Sequence, residues 1–163
     1  MTHFEFMLEA CAQAEINSRN HFEDGGPFGA VIVKDGEIIG RGKNTVLASH
    51  NPTAHAEILA IGEACDHLGT HDLTGCVLYT SCYPCPMCLS AIIWSNIKEI
   101  YYGNTKEDAA AIGFKDDVIY HVINNILEGR ESENKGILNL AQLDREEAIK
   151  TFEDFKKSAG HLY

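Results

Sequence analysis

The chain has 163 residues, of which 45% are hydrophobic and 23% charged, as expected for a globular protein with one sizeable core. Its 13 basic and 24 acidic side chains give a net charge of −11, which argues against binding to nucleic acid. The chain lacks an apolar run long enough for a membrane helix, and its N-terminus lacks the basic and apolar segments of an export signal. We therefore expect a cytoplasmic protein that keeps its cysteines reduced, has no membrane partner and acts on a small, weakly charged substrate. An acidic surface that serves only solubility is the alternative reading of the charge.

The first part of the chain predicts a helix followed by a β-hairpin. Apolar residues recur at helical spacing over residues 5–20, and Gly25-Gly26-Pro27 ends that helix. Two strands are predicted over residues 29–34 and 37–42, because Asp35-Gly36 between them is a typical hairpin turn.

The remaining chain alternates between predicted helices and strands. The expected elements are a helix from Asn51 to a C-cap at Gly69, a strand over 76–80, a helix from Pro84 or Cys85 to Trp94 or Ser95, a strand over 99–103, a helix over 116–127, a loop over 128–135, a strand over 137–143 and a last helix capped by Asp144. The apolar residues expected to face inward in the last two helices are Val118, Ile119, Val122, Ile123 and Ile126, then Ala148, Ile149, Phe152 and Phe155. This order predicts a single α/β domain over 1–163, built as a three-layer α/β/α sandwich with a mixed central sheet.

Two short motifs predict a metal site. His55-Ala56-Glu57 and Pro84-Cys85-Pro86-Met87-Cys88 each fall at a predicted helix start, where partial positive charge stabilises thiolate over thiol. Cys85 and Cys88 are three residues apart and share one side of a helix. One imidazole and two thiolates form the ligand set of a catalytic zinc, which leaves a fourth position for water. We expect one zinc ion per subunit, bound by His55, Cys85 and Cys88.

Three other interpretations of the cysteines remain. Cys82 could be a fourth ligand of a structural zinc, although a buried thiol at the end of a strand is the expectation we prefer. The C-x-x-C pair could be a redox pair, which would leave the His-x-Glu motif unexplained. The spacing of Cys82, Cys85 and Cys88 also suits an iron–sulfur cluster, but Ala91 stands where a further cysteine is needed.

Glu57 is the candidate acid and base. A zinc ion lowers the pKa of its water from about 15.7 towards 7. Glu57 would take a proton from that water, pass it to a ring nitrogen of the substrate and later protonate the leaving amine. The alternative role for Glu57 is only a favourable charge in the first turn of a helix.

With these residues in hand, the chain resembles the cytidine deaminase superfamily, whose signature for zinc-dependent base deaminases is H-x-E followed by P-C-x-x-C. Within it, the chain looks most similar to bacterial guanine deaminases, and plant guanosine deaminases are also similar. The resemblance covers essentially the whole chain. Its matching segments are 25–36 (GGPFGAVIVKDG), the region of Asn44, 51–57 (NPTAHAE), 78–82 (LYTSC), 84–88 (PCPMC), 113–117 (GFKDD) and the terminal Tyr163.

The resemblance implies four substrate contacts. Asn44 matches a residue that hydrogen-bonds a purine edge, and Phe28 matches an aromatic beside the base. Asp116 matches an acid that pairs with the base, with Asp117 as the fallback, and Tyr163 matches a terminal residue that closes the pocket. Each has a simpler explanation: a turn-forming asparagine, a core aromatic, a helix-start acid and a frayed chain end.

The family also implies a homodimer, in some members with exchanged C-terminal segments, so the run Ile92-Ile93-Trp94 is either core or dimer interface. Tyr83 departs from the glutamate that often precedes the Pro-Cys pair, which bears on the substrate rather than on the metal. The predicted reaction is hydrolytic deamination of guanine to xanthine and ammonia. The alternatives are a deaminase of guanosine or of another aminated heterocycle such as cytosine, a tRNA adenosine deaminase, and a non-catalytic zinc-stabilised interaction module.

Overall fold

The computed structural model describes residues 1–158 and 161–163, which form two compact units, Met1–Asp116 and Asp117–Tyr163. The first unit holds, in chain order, α1 (His3–Arg19), β1 (Gly29–Lys34), β2 (Glu37–Lys43), α2 (Val46–Ser49), α3 (Ala56–Leu68), β3 (Val77–Cys82), α4 (Pro86–Trp94), β4 (Glu99–Asn104) and α5 (Lys106–Ala111). The second holds α6 (Asp117–Leu127), a short 3₁₀ helix (Glu131–Asn134) and α7 (Arg145–Lys157).

The first unit is built on a mixed four-stranded sheet with the strand order β2-β1-β3-β4. β1 pairs antiparallel with β2 and with β3, whereas β3 and β4 are parallel. Both residues of the predicted hairpin turn, Asp35 and Gly36, have positive φ angles of 50° and 81°, which suit the twist of a two-residue turn. The mixed sheet with helices confirms the predicted fold class.

Alternate residues of β1 and β3 face two different helices, which creates the three layers. Val31, Val33 and Tyr79 pack against Phe6 and Ala10 of α1. The opposite face of the sheet packs against α3 in a larger cluster. Members of that cluster include Ala30, Ile32, Leu78, Ala56, Ala60 and Ala64. This packing holds the C-terminal end of β3 beside the N-terminal end of α3.

Two glycines of β2 set the unusually close approach of α3 to the sheet. A Cβ atom at Gly42 would lie 2.0 Å from the Ala56 carbonyl oxygen, and one at Gly40 would lie 2.3 Å from the Ala60 carbonyl oxygen. Only small residues fit at such a contact, so the fully buried apolar face of α3 consists of alanines rather than of the larger Ile58, Leu59 and Ile61.

Several boundaries differ from the sequence prediction. α3 begins at Ala56 rather than Asn51, because the Asn51 side chain accepts hydrogen bonds from the backbone and hydroxyl of Thr53 and forms a turn before the helix. The short helices α2 and α5 were not predicted. Gly69 caps α3 in the left-handed conformation, as its sequence position indicates.

The second unit departs further from the prediction. Residues 137–143 form no strand, because the described part of this unit offers no strand to pair with, and the Ile137 and Leu138 backbone N–H groups donate to the Asn134 carbonyl. Asp144 does cap α7 by accepting from the Glu147 backbone.

The predicted inward faces of α6 and α7 are mostly wrong. Val122 is buried, whereas Val118, Ile119 and Ile123 are exposed. In α7, Phe152 and Phe155 are exposed too, and Ile149 is half-buried. A unit this small offers few buried positions, and the amides of Asn125 and Asn134 occupy two of them, 2.8 Å apart.

Among residues 1–158 and 161–163, the helices are too short or too polar to cross a membrane.

The contact between β2 and α3 predicts opposite effects for two Gly→Ala substitutions. Gly42→Ala should lower the free energy of unfolding by about 1–3 kcal/mol, because the new methyl group overlaps the α3 backbone. Gly62 lies on the exposed side of α3, with open space for a Cβ atom. Gly62→Ala should therefore raise the free energy of unfolding by about 0.5–1 kcal/mol. Urea denaturation of both variants measures the difference, and equal stability of the two would contradict this packing.

Candidate metal and substrate site

The start of α3 carries the first two site residues. His55 is the N-cap of α3 in extended conformation (φ −75°, ψ 156°), and its side chain makes no capping hydrogen bond to the helix. Glu57 lies in the first turn and is only 6% exposed. Because the N-cap side chain is not used by the helix, the imidazole is available to other groups.

The start of α4 carries the two thiols in an equivalent arrangement. Cys85 is the N-cap of α4, again extended (φ −66°, ψ 167°) and again without a capping hydrogen bond, and Pro86 follows at the first helical position. Proline is favoured there because that N–H has no partner within the helix. Cys88 lies one turn further on and is fully buried.

The two helix starts converge on one point. The His55 Nδ1 atom lies 3.6 Å from the Cys85 Sγ atom and 3.6 Å from the Cys88 Sγ atom. A tetrahedral zinc with usual Zn–S and Zn–N bonds separates such atoms by about 3.6 Å. The three donors therefore fit one zinc ion, with Nδ1 as the imidazole donor.

Cys82 is separate from this group. Among the described residues, the cluster that could hold a metal at this place consists of His55, Cys85 and Cys88. The Cys82 thiol ends β3 in a buried position, as expected from the sequence, and contacts the Thr105 carbonyl oxygen at 3.6 Å. Burial raises the pKa of the Cys82 thiol to about 11.

The Cys85 and Cys88 thiols form a hydrogen-bonded pair in which one thiol ionises much more readily than the other. Hydrogen bonds from Cys88 and then from His55 lower the pKa of the Cys85 thiol to about 4. The pKa of Cys88 is raised, first by its hydrogen bond to Cys85 and then by burial. The hydrogen bond to Cys85 also raises the pKa of His55. Without a metal, the pair thus holds a thiolate on Cys85 and a proton on Cys88.

The Glu57 carboxylate is held between the thiols and the sheet. Its Oε2 atom lies 3.5 Å from the Cys88 Sγ atom, and its Oε1 atom accepts a 2.9 Å hydrogen bond from the Thr80 hydroxyl. Burial raises the pKa of Glu57, and the hydrogen bond from Thr80 partly offsets this rise. Burial favours the protonated form of this acid and the hydrogen bond favours the charged form, which suits a group that both accepts and releases a proton.

A cavity of about 500 Å³ opens over this group, within the range of small-molecule sites. Three of the four residues that the resemblance assigned to substrate line it, namely Phe28, Asn44 and Asp116, together with His55, Glu57 and Cys85. The other lining residues are Phe22, Gly25, Gly26, Pro27, Val46, Leu47, Pro52, Cys82, Tyr83, Ala109 and Phe114.

The fourth residue, Tyr163, belongs to the second unit and is exposed. Asp117, the fallback for Asp116, begins α6 in that unit and is exposed as well. The roles of both residues at the cavity stay predictions.

Asn44 has a defined orientation in the cavity wall. Its Oδ1 atom accepts a hydrogen bond from the Val46 backbone at 3.1 Å, which makes the two N–H groups of Nδ2 the donors of this amide. Gly25 lies directly against it, since a Cβ there would lie 2.2 Å from the Asn44 Oδ1 atom.

Two further residues contribute to this site and were not predicted from the sequence. Phe114 packs edge-on against Phe28, with ring centroids 4.9 Å apart, and completes an aromatic wall. The Thr80 hydroxyl donates a hydrogen bond to the Glu57 carboxylate. The sequence does hold one indication of this role, because Thr80 is a polar residue within the apolar run of β3, and a buried polar group needs a hydrogen-bond partner.

Residues 1–104 match the family described as the cytidine and deoxycytidylate deaminase zinc-binding region, and the chain belongs to this family. It is 56% identical to guanine deaminase of Bacillus subtilis over 106 residues, 65% of this chain and 68% of the relative. It is 48% identical over 86 residues to a tRNA-specific adenosine deaminase of Aquifex aeolicus, 52% of this chain and 57% of the relative. The solved structure of guanine deaminase from Bacillus subtilis superposes with a TM-score of 0.86 at 41% identity, covering 96% of this chain and 95% of that one.

The two thiol pKa values predict which cysteine an alkylating reagent modifies first. In metal-free protein at pH 7, Cys85 is a thiolate, whereas Cys82 is almost entirely protonated. A thiolate of low pKa is intrinsically less nucleophilic, so the pKa difference by itself should favour Cys85 about tenfold. The burial of Cys82 adds to this advantage. Iodoacetamide labelling followed by peptide mass spectrometry measures it. Denatured protein serves as the control, because unfolding should abolish the difference, and equal labelling of folded Cys82 and Cys85 would contradict the assignment.

Proposed function

We propose that this chain catalyses the hydrolytic deamination of a free purine base and converts guanine to xanthine and ammonia. The observation that carries the proposal is the buried Glu57 carboxylate beside the three donors His55, Cys85 and Cys88 at the cavity. Similarity to guanine deaminase over nearly the whole chain supports the choice of guanine.

The protein side chains would divide the reaction into binding and proton transfer. A zinc ion, held by His55, Cys85 and Cys88, supplies Lewis acidity that lowers the pKa of water from about 15.7 towards 7. Glu57 accepts a proton as water adds to the carbon that bears the amino group, and delivers it to the adjacent ring nitrogen. Glu57 next accepts the proton of the newly added hydroxyl and passes it to the amino group, so that the carbonyl forms as the carbon–nitrogen bond breaks and ammonia leaves. The Thr80 hydroxyl keeps one carboxylate oxygen in place during both transfers.

Four residues are proposed to hold the base. Asn44 directs its amide N–H groups at acceptors on the purine edge, which agrees with the use of its Oδ1 atom by the Val46 backbone. Phe28 packs beside the ring, supported by Phe114. Asp116 accepts from the N–H groups of guanine, and Tyr163 closes the pocket as the family resemblance implies. Buried polar contacts of this kind reject an analogue with the wrong donors by several orders of magnitude.

The alternative substrates are distinguished by size and charge. Guanosine, or another aminated heterocycle such as cytosine, would use the same metal group and Glu57. Deamination of tRNA adenosine is favoured by the similarity to the Aquifex aeolicus enzyme, but a net charge of −11 opposes binding to a polyanion. A non-catalytic zinc module would have no use for a buried carboxylate at an open cavity.

We further propose that the protein is a cytoplasmic homodimer with one zinc per subunit and one domain over 1–163, whose C-terminal segment is exchanged between subunits. Ile92 is core, which leaves Ile93 and Trp94, 72% and 66% exposed, as the candidates for an interface in that run. The exposed apolar residues of α6 and α7 are further candidates, since large exposed apolar patches often mark association surfaces.

Glu57→Gln separates the proton-transfer role from metal binding. This substitution keeps the size of the side chain, so the protein should retain its zinc and lose at least about 100-fold in kcat. Cys85→Ser is the matched variant and should lose zinc as well as activity. Metal analysis and ammonia release measure both quantities, and near-normal turnover by Glu57→Gln would refute the role of this carboxylate.

A substrate panel tests the choice of guanine. The panel contains guanine, adenine and cytosine, the nucleoside of each base, and tRNA. Ammonia release should be fastest with guanine. Turnover of guanosine but not of guanine would move the assignment to a nucleoside deaminase. If every member is inert with zinc-loaded protein, the enzymatic proposal fails.

A further inference from the structure

We infer that Asn17 of α1, a residue outside the cavity, is a positioning residue that sets the shape of the substrate-binding wall through its side-chain amide. The inference rests on the proposed function, because it assigns the wall formed by residues 25–28 and 44–47 to substrate binding. Asn17 is fully buried, and a buried amide in the last turn of a helix needs partners for all its polar atoms.

The Asn17 amide joins the two chain segments that carry the wall. Its Nδ2 atom donates to the Gly26 carbonyl oxygen at 2.9 Å and to the Asn44 carbonyl oxygen at 2.6 Å. Two backbone bonds continue this link, from the Phe28 N–H to the Gly26 carbonyl and from the Asn44 N–H to the Phe28 carbonyl. Gly26, Phe28 and Asn44 all line the cavity, so one side chain orders three lining residues.

The other end of the amide is anchored by an ion pair. The Asn17 Oδ1 atom accepts from the Lys43 Nζ atom at 3.1 Å, and the same ammonium binds the Asp24 carboxylate at 2.5 Å. The Asp24 carbonyl in turn accepts from the backbone N–H groups of Leu47 and Ala48, both at 3.0 Å. The network therefore reaches α2, where Leu47 forms another part of the wall.

This arrangement requires asparagine at position 17. The side chain must donate two hydrogen bonds to carbonyl oxygens and accept one from an ammonium group, and a primary amide of this length does all three. An aspartate would have the same size and keep the partner of Lys43, but would turn a carboxylate oxygen towards two carbonyl oxygens.

The wall and the chemical groups are carried by different elements. The network holds residues 24–28 and 43–48, whereas the metal donors and Glu57 lie at the starts of α3 and α4. Loss of the Asn17 donors should therefore weaken binding of substrate much more than it slows the chemical step.

Steady-state kinetics of Asn17→Asp test this directly. The variant should raise KM for guanine about tenfold or more, change kcat by less than about threefold, and bind zinc at the wild-type level. Lys43→Met, which removes only the anchor, should raise KM by a smaller factor. Leu73→Ala, a substitution of a buried core residue that does not line the cavity, is the control for loss of stability and should leave KM unchanged.

Hydrogen exchange supplies a readout that does not depend on turnover. Asn17→Asp should speed exchange in residues 24–29 and 44–48 and leave α4 unchanged. A KM at the wild-type level, or faster exchange spread evenly over the first unit, would overturn the inference. Should the wild-type protein deaminate no member of the panel, the proposed function fails while the exchange pattern still decides the role of Asn17.

Discussion

The site depends on the convergence of two helix N-termini at one end of the sheet. His55 and Cys85 are both N-cap residues in extended conformation, and neither side chain caps its own helix. Each side chain is therefore directed out of its helix, and the two meet with a 3.6 Å separation that suits a common zinc ion. The close contact of β2 with the alanine face of α3 fixes the first helix, and β3 leads directly into the second.

The same convergence creates the environment of the acid. Glu57 is near Cys88 and accepts from Thr80, which shares the α3-facing side of β3 with Leu78. Burial disfavours the charged carboxylate, and the hydroxyl favours it. The fold thus balances two opposing effects on one group, which is the balance a residue needs when it is first a base and then an acid.

Much of this could be predicted from the sequence because the signals were local. The turn Asp35-Gly36, the C-cap Gly69 and the N-cap Asp144 all occur as expected, and the spacing of Cys85 and Cys88 placed both on one side of a helix. The start of α3 was misplaced because an asparagine turn imitates a helix start. Residues 137–143 were misread because an apolar run predicts a strand without revealing whether a partner strand exists.

The contributions that were missed are long-range. Asn17 is 27 residues from Asn44 along the chain, and Thr80 is 23 residues from Glu57, so neither pair leaves a periodic pattern. Phe114 is likewise far from Phe28 along the chain, although their rings are in contact. Family resemblance supplied Asn44, Phe28 and Asp116, which spacing alone does not identify, and all three line one cavity.

X-ray absorption at the zinc edge of the purified protein tests the central claim most directly. One zinc bound by an imidazole and two thiolates should give two sulfur atoms at about 2.3 Å and a nitrogen and oxygen shell at about 2.0–2.1 Å. A third sulfur in the first shell would make Cys82 a ligand and the site structural, and a protein purified without zinc would contradict the account as a whole.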